Sequence, residues 1–130
     1  MKALILLTMI FLHIVDDFYL QGILAKMKTK AWWKDQHGSE KRDYIAALII
    51  HGFSWSFMVH LPFMGLIVLC DLFGYSSVLV LSMIIHAVLH AIIDHEKANN
   101  HWLDFTDDQL LHMSQIAVIW TTAVLALFKV

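Results

Sequence analysis

Histidine and aspartate residues recur at helical spacing inside the most apolar parts of this 130-residue chain. The pairs four residues apart are His13–Asp17, His86–His90, His90–Asp94 and Asp108–His112, and His51 lies in a further apolar stretch. Residues at i and i+4 share one face of a helix, so each pair can present two side chains together. Neutral imidazole and carboxylate are ligands that zinc, iron and manganese accept. The spacing therefore predicts a divalent-metal site.

The composition indicates where such a site would lie. Hydrophobic residues make up 59% of the chain and charged residues only 15%, a balance typical of integral membrane proteins. The length allows one domain of about four membrane-spanning helices, at roughly 20 residues each. We expect an all-α, integral membrane four-helix bundle, with residues 1–130 in a single transmembrane domain. The predicted helices cover approximately residues 3–26, 43–71, 76–97 and 107–128.

The basic residues predict the orientation. Six of the nine lie in one connection, namely Lys26, Lys28, Lys30, Lys34, Lys41 and Arg42. Because such residues stay on the cytoplasmic side, loops 27–42 and 98–106 are expected inside and both termini outside, in a bacterial inner membrane. No A-x-A-like cleavage site follows the first apolar run, which is therefore interpreted as a membrane helix and not as a signal peptide. The one cysteine, Cys70, excludes an internal disulfide.

The polar residues of the four predicted helices also lie at similar depths in the membrane. Counting from the cytoplasmic helix ends at about 1.5 Å per residue places ligand-type side chains of all four helices at a similar level. The predicted metal ligands are His13, Asp17, His51, His86, His90, Asp94 and His112. Each histidine alone could equally form a bond between helices. Four helices with such groups at one level favour a shared cation, with zinc as the first candidate and manganese or iron as alternatives.

Other polar residues are expected to have local roles. His60, close to Pro62, is predicted to bond a nearby backbone carbonyl, and the proline is predicted to bend the second helix. Asp16 should point about 100° away from Asp17 on an ideal helix, toward lysines or water. Nearer the inner surface, four residues are predicted to form a mouth that receives an anionic head group or phosphate: Gln21, Lys26, Lys97 and Gln109. The alternative for the lysines is simple snorkelling at helix ends.

Four motifs, in order, span nearly the whole chain. They are His13-x-x-x-Asp17-Phe18-x-Leu20-Gln21 followed by Lys26, then His51, then His86-x-x-x-His90-x-x-x-Asp94-x-x-Lys97, and finally Asp108-Gln109-x-x-His112. Together they resemble the DUF3307 family of small bacterial and phage integral membrane proteins. The resemblance implies a four-helix membrane protein of uncharacterised activity, and it supports the choice of these polar residues.

The leading functional hypothesis is a metal-dependent hydrolase that opens to the cytoplasmic leaflet. The ions would activate water and polarise the scissile bond. Asp94 or Asp108 would act as general base or orient a ligating imidazole. Access from the membrane favours a lipid or phosphoester substrate, with membrane lipids as partners. The aromatic residues follow no nucleic-acid-binding pattern, and the oligomeric state is open.

The same residues allow three alternative functions. Opposed histidines such as His51 and His90 could hold haem, although the companion aspartates argue against an apolar haem slot. The same ligands could instead carry a metal ion or protons across the membrane. Little polar lining is expected to continue from His86 toward the outer side apart from His60, which argues against transport. A phage accessory membrane protein with a structural His/Asp cluster is the third alternative.

Overall fold

A computed structural model describes residues 1–37 and 42–128 of the chain. Lys41, part of the predicted basic loop, lies outside the described residues. The helices are α1 (Lys2–Ile14), α2 (Leu24–Met27), α3 (Lys30–His37), α4 (Asp43–Leu69), α5 (Ser76–His95) and α6 (Phe105–Leu127). Wider π-helical turns extend α1 over Val15–Leu20 and α5 over Glu96–Asn100, and a 3₁₀ turn, Phe73–Tyr75, precedes α5. No strand occurs among the described residues, so the predicted all-α fold is confirmed.

Four helical segments are long and apolar enough to cross a membrane. They are Lys2–Leu20, Asp43–Leu69, Phe73–Asn100 and Phe105–Leu127. Their outward faces carry exposed apolar side chains, including Leu7, Phe11, Ile49, Phe53, Val88 and Leu125. Histidines and aspartates are buried between the helices instead. Apolar residues outside and polar residues inside suit a bundle whose surroundings are lipid.

The first predicted helix ends earlier than its pattern suggested. It stops at Leu20 and not near residue 26, because Gly22 adopts a left-handed conformation with φ +50°. The chain then forms α2 and α3, which the sequence pattern did not predict. In contrast, α4 continues through Pro62 to Leu69 without a break.

The packing of α4 on α5 is unusually close beside His51. A Cβ atom added to Gly52 would lie 2.5 Å from the carbonyl oxygen of Ala87 and 3.2 Å from the Cβ of Ala91. Only glycine permits this approach of the two backbones. The close contact brings the next residue back along α4, His51, within reach of His90 on α5. Beneath these polar residues lies an apolar core of Ile5, Met9, Trp55, Val59, Phe63, Ile116 and Ile119.

Candidate metal centre

Six of the sequence-predicted site residues meet in the interior of the bundle. They are Asp17 from the turn after α1, His51 from α4, His90 and Asp94 from α5, and Asp108 and His112 from α6. We call these six residues the His/Asp cluster. None of their side chains is more than 8% exposed. The cluster contains groups of three side chains whose ligand atoms all lie within 4.8 Å of one another, so these residues could hold a metal ion.

One part of the cluster surrounds His51 and His90. Their Nε2 atoms are 3.1 Å apart, and Asp17 Oδ1 lies 3.1 Å from the first and 3.7 Å from the second. Asp94 Oδ2 lies 3.4 Å from His51 Nε2 and 3.8 Å from His90 Nε2. Ligand atoms bound tetrahedrally to zinc at about 2.0–2.1 Å are separated by about 3.3–3.4 Å. Five of the six separations among these four ligand atoms are therefore within about 0.5 Å of those in a tetrahedral ligand set.

Hydrogen bonds alone do not account for the surroundings of His51 Nε2. Besides His90, Asp17 and Asp94, the amide nitrogen of Gln21 lies 2.8 Å from this atom. An imidazole nitrogen either donates one hydrogen or accepts one. If Nε2 carries a hydrogen, it can donate to only one of the two carboxylates, and the Gln21 amide also points a hydrogen at it. If Nε2 carries no hydrogen, its lone pair faces both carboxylates with no hydrogen between them. A cation bound by unprotonated Nε2 would remove the repulsion between this atom and the two carboxylates, provided that the Gln21 amide no longer donates to it.

A second part of the cluster surrounds His112. Its Nε2 atom lies 3.6 Å from Asp94 Oδ1 and 3.3 Å from Asp108 Oδ1. Both His112 Nε2 and Asp108 Oδ1 are buried without a hydrogen bond of good geometry among the described residues. Buried polar atoms without partners are rare and point to a missing ion or water. Asp94 thus directs one oxygen to each part of the cluster, as a bridging carboxylate does.

Asp16 is the clearest departure from the sequence expectation. It is not turned to lysines or water but is 1% exposed, and the hydroxyl of Ser54 donates to its Oδ1 at 2.6 Å. The reason is the π-helical turn after α1, whose extra residue per turn directs both Asp16 and Asp17 into the bundle. Asp16 Oδ2 lies 3.7 Å from Nδ1 of His51, on the opposite side of the ring from the cluster. At this distance the two atoms are not hydrogen-bonded, and Asp16 Oδ2 is buried without a hydrogen-bond partner among the described residues. In the sequence, the two adjacent aspartates at the end of an apolar helix were the available signal that Asp16 is buried.

His13 lies beside the cluster, with both ring nitrogens engaged. The indole nitrogen of Trp55 donates to His13 Nδ1 at 2.7 Å, so the ring proton belongs on Nε2, which lies 3.2 Å from Gln109 Oε1. Trp55 also stacks on His90 with ring centroids 4.4 Å apart. None of the ligand groups found among the described residues includes His13. Its role as a ligand stays a prediction, and in this geometry it holds Trp55 and Gln109.

His86 and His60 form a separate polar group further along α5 and α4. His86 Nδ1 lies 3.2 Å from Gln115 Oε1, and the described residues provide no ligand group that contains it. His60 Nδ1 donates to the carbonyl of Ser56 at 2.7 Å, so the predicted local bond is present. Ser82 lies 2.9 Å from the other ring nitrogen of His60. Besides the expected His60, the polar lining past His86 includes Ser82.

A polar pocket of about 60 Å³ lies where the loops meet the cluster. Its lining includes three of the four predicted mouth residues, Gln21, Lys97 and Gln109, together with Lys28. The fourth predicted residue, Lys26, is exposed and does not line this pocket. A helix continuing to residue 26 would have placed Lys26 at the mouth, but the turn at Gly22 brings Lys28 there instead.

Each pocket lysine contacts one carboxylate of the cluster. Lys28 Nζ donates to Asp94 Oδ2 at 2.6 Å, and Lys97 Nζ donates to Asp108 Oδ2 at 2.5 Å. The interior also holds Asp16 and Asp17, so that four aspartates have side chains at most 8% exposed. With every histidine counted as neutral, two of these four negative charges have no lysine partner among the described residues. Uncompensated buried charge is strongly unfavourable, so the interior is electrostatically suited to a divalent cation.

Comparison of the chain with protein-family models, curated proteins and solved structures finds no match. The resemblance to the DUF3307 family therefore stays a prediction.

Proposed function

We propose that this protein is a membrane-embedded, divalent-metal-dependent hydrolase of phosphoesters with a two-ion centre. The observation that carries the proposal is the position of Asp94. Its Oδ2 faces His51 and His90, and its Oδ1 faces His112. Carboxylates and histidines projecting inward from separate helices form di-metal centres in helical bundles. Asp17, His51, His90 and Asp94 would hold one ion; Asp94, Asp108 and His112 would hold the other.

The second ion would have fewer protein ligands than the first. Three side chains leave a coordination position open, and an open position distinguishes catalytic from structural zinc sites. Asp17, Asp94 and Asp108 all line the pocket that Lys28 and Lys97 border. Water and the substrate would therefore meet at this side of the cluster. Zinc is the first candidate because the histidines and carboxylates match its preferred ligands, with manganese or iron as alternatives.

Divalent ions make water a better nucleophile and stabilise charge on a phosphoryl group. In the proposed reaction, the oxygen of a water molecule attacks phosphorus and the ester P–O bond breaks. Asp108 accepts a proton from the water, and the leaving oxygen departs as an alcohol after taking up that proton. Lys28 and Lys97 neutralise the phosphoryl oxygens. The location of the pocket at the end of a membrane bundle favours lipid phosphoesters, approached from the cytoplasmic leaflet under the predicted orientation.

Hydrolysis of defined phosphoesters tests this proposal. The protein, purified in mild detergent and supplied with zinc or manganese, should release phosphate from 4-nitrophenyl phosphate or from a short-chain phosphatidic acid. Asp94→Asn should remove at least about 99% of the rate, in line with the loss of a metal ligand. Asp107→Asn changes an exposed aspartate next to Asp108 and should retain the rate. Metal-loaded protein that is inactive on monoesters, diesters and lipid phosphates would contradict the proposal.

A second candidate function is ion or proton movement across the membrane. It is favoured by the polar group of His86, Gln115, His60 and Ser82, which extends the polar interior beyond the cluster. The rings of His60 and His86 are 6.0 Å apart between centroids. Proteoliposomes containing a pH-sensitive or zinc-sensitive dye would show flux that His60→Gln removes. Haem is a weaker alternative, because the 3.1 Å contact between His51 and His90 leaves no slot for a porphyrin.

A further inference from the structure

We propose that Lys28 and Lys97 have two successive partners: the aspartates of the cluster when the metal is absent, and a phosphate dianion once both ions are bound. This inference rests on the proposed two-ion centre. It assigns the pocket to a phosphate group, and it adds a competition between lysine and metal that the hydrolase proposal does not require.

The two lysine contacts share one geometry. Lys28 binds Oδ2 of Asp94 and Lys97 binds Oδ2 of Asp108, whereas the Oδ1 atom of each carboxylate faces His112. Asp94 Oδ2 is also the oxygen that faces His51 and His90. Lys28 therefore holds an atom that an ion in the first part of the cluster would need. Binding of that ion must weaken or displace the ammonium, because like charges repel at this distance.

The formal charge around the two lysines changes sign between the metal-free and the metal-bound state. Without metal, the two lysines compensate half of the charge of the four aspartates. With two divalent ions bound, the aspartates are fully neutralised and both lysines become excess positive charge beside the pocket. A phosphate dianion restores neutrality, whereas a single carboxylate ligand would leave one positive charge. Lysine is a mobile point charge on a long stem, which suits such an exchange of partners.

The pocket has the size and polarity for a phosphate group. Its volume of about 60 Å³ gives room for a few water molecules, and its exposed lining is predominantly polar. The amides of Gln21 and Gln109 at its wall can donate to phosphate oxygens. Phe18 and Phe105 pack edge to face at 6.3 Å on the rim, and Lys97 lies 5.1 Å from the Phe105 ring centre. Only the phosphate would fit inside, so the alcohol part of the ester must lie outside this pocket.

Methionine substitutions separate the two roles of each lysine. Lys28→Met removes the charge but keeps a long stem, and Lys97→Met does the same at the second position. Lys26→Met is the matched control, since Lys26 is exposed and outside the pocket. Zinc affinity would be measured by competition with a chelating dye. Binding of inorganic phosphate to the zinc-loaded protein would be measured by calorimetry in the same detergent.

We expect Lys28→Met to bind zinc about tenfold more tightly than the wild type, because its competitor for Asp94 is gone. The same variant should bind phosphate about tenfold more weakly, as expected for a lost charge-assisted contact. Lys97→Met should also weaken phosphate binding, and Lys26→Met should change neither affinity. A purely structural role for Lys28 would instead weaken zinc binding in its variant. That result, or unchanged phosphate binding in both pocket variants, would overturn the inference while leaving the metal site intact.

Zinc binding by the wild type distinguishes failure of the two-ion centre from failure of this inference alone. If the wild type binds no zinc at all, the two-ion centre and this inference fail together. If zinc binds and the lysine variants behave like the wild type, only the inference fails. The source of the phosphate is resolved by comparing inorganic phosphate with dioctanoyl phosphatidic acid. Tighter binding of the lipid supports a head-group phosphate, equal binding supports a free phosphate, and binding of neither overturns the assignment of the pocket.

Discussion

The Nε2 atoms of His51 and His90 lie 3.1 Å apart at the centre of four apolar helices. Their helices can approach this closely because Gly52, next to His51, lets the α4 backbone pass against Ala87 of α5. The position of the two imidazoles thus depends on a residue that has no polar side chain. Neither histidine can be moved without changing its distance to Asp17 or Asp94.

Gly52→Ala tests this dependence. The added methyl would lie 2.5 Å from the Ala87 carbonyl oxygen, so α4 and α5 must separate. We expect stability to fall by about 1–3 kcal/mol, as for an overpacked core, and metal affinity to fall with it. Gly65→Ala on the same helix is the control, because a Cβ there meets nothing within 4 Å. Retention of wild-type metal affinity in Gly52→Ala would show that the close helix contact does not position the histidines.

Removal of metal should destabilise the bundle. The ions would join α1, α4, α5 and α6, and binding to the folded state alone adds about 2.7 kcal/mol at a free metal concentration one hundred times Kd. We expect a chelator to lower the melting temperature of the purified protein, and zinc to restore it. Asp94→Asn, lacking the shared ligand, should melt at one temperature with or without chelator. If the chelator leaves the melting temperature of the wild type unchanged, the prediction that metal stabilises the bundle is contradicted.

Trp55→Phe isolates the bond between Trp55 and His13. Phenylalanine keeps an aromatic ring against His90 but removes the indole donor. The buried Nδ1 of His13 then loses this hydrogen bond and keeps only Asp17 Oδ2 at 3.5 Å, a carboxylate oxygen that cannot donate to it. An unsatisfied buried acceptor is expected to lower stability by about 1–3 kcal/mol. Unfolding of Trp55→Phe would be compared with that of Trp102→Phe, in which the replaced tryptophan is 78% exposed. Equal stability of the two variants would mean that the buried bond contributes little.

The single cysteine offers a direct test of orientation. Cys70 is exposed and follows the last residue of α4, at the opposite end of that helix from the basic loop. With the basic loop inside, Cys70 must face outward. We expect a membrane-impermeant maleimide to label it in intact cells from which any outer barrier has been removed. Lys34→Cys in a Cys70→Ser background should react only after the membrane is opened. The reverse labelling pattern would invert the topology.

The sequence predicted the parts of the site that depend on regular helix geometry. His90 with Asp94, and Asp108 with His112, lie four residues apart on uninterrupted helices, and their side chains meet as the spacing indicates. The position of His51 at the site could be predicted only from its depth along the second predicted helix. All-α architecture and the four apolar segments likewise follow from composition and length.

The remaining features depend on local departures from the α-helix. The π-helical turn buries Asp16. The left-handed conformation of Gly22 places Lys28, and not Lys26, at the pocket. The local signals are two adjacent aspartates and one glycine, and neither specifies by itself a π-helical turn or a left-handed residue. The bonds of His13 to Trp55 and Gln109 are long-range contacts in the sequence, and residue spacing on one helix carries no information about them.

The most direct test of the two-ion centre is the metal content of the purified protein. Protein isolated in mild detergent without chelator, then equilibrated with zinc and freed of excess, would be measured by plasma mass spectrometry beside Asp94→Asn and Asp107→Asn. We expect about two equivalents in the wild type and in Asp107→Asn, and less than about half an equivalent in Asp94→Asn, because Asp94 is shared by both ions. A folded wild-type protein that retains no metal, or an Asp94→Asn variant that retains as much as the wild type, would contradict the proposed centre.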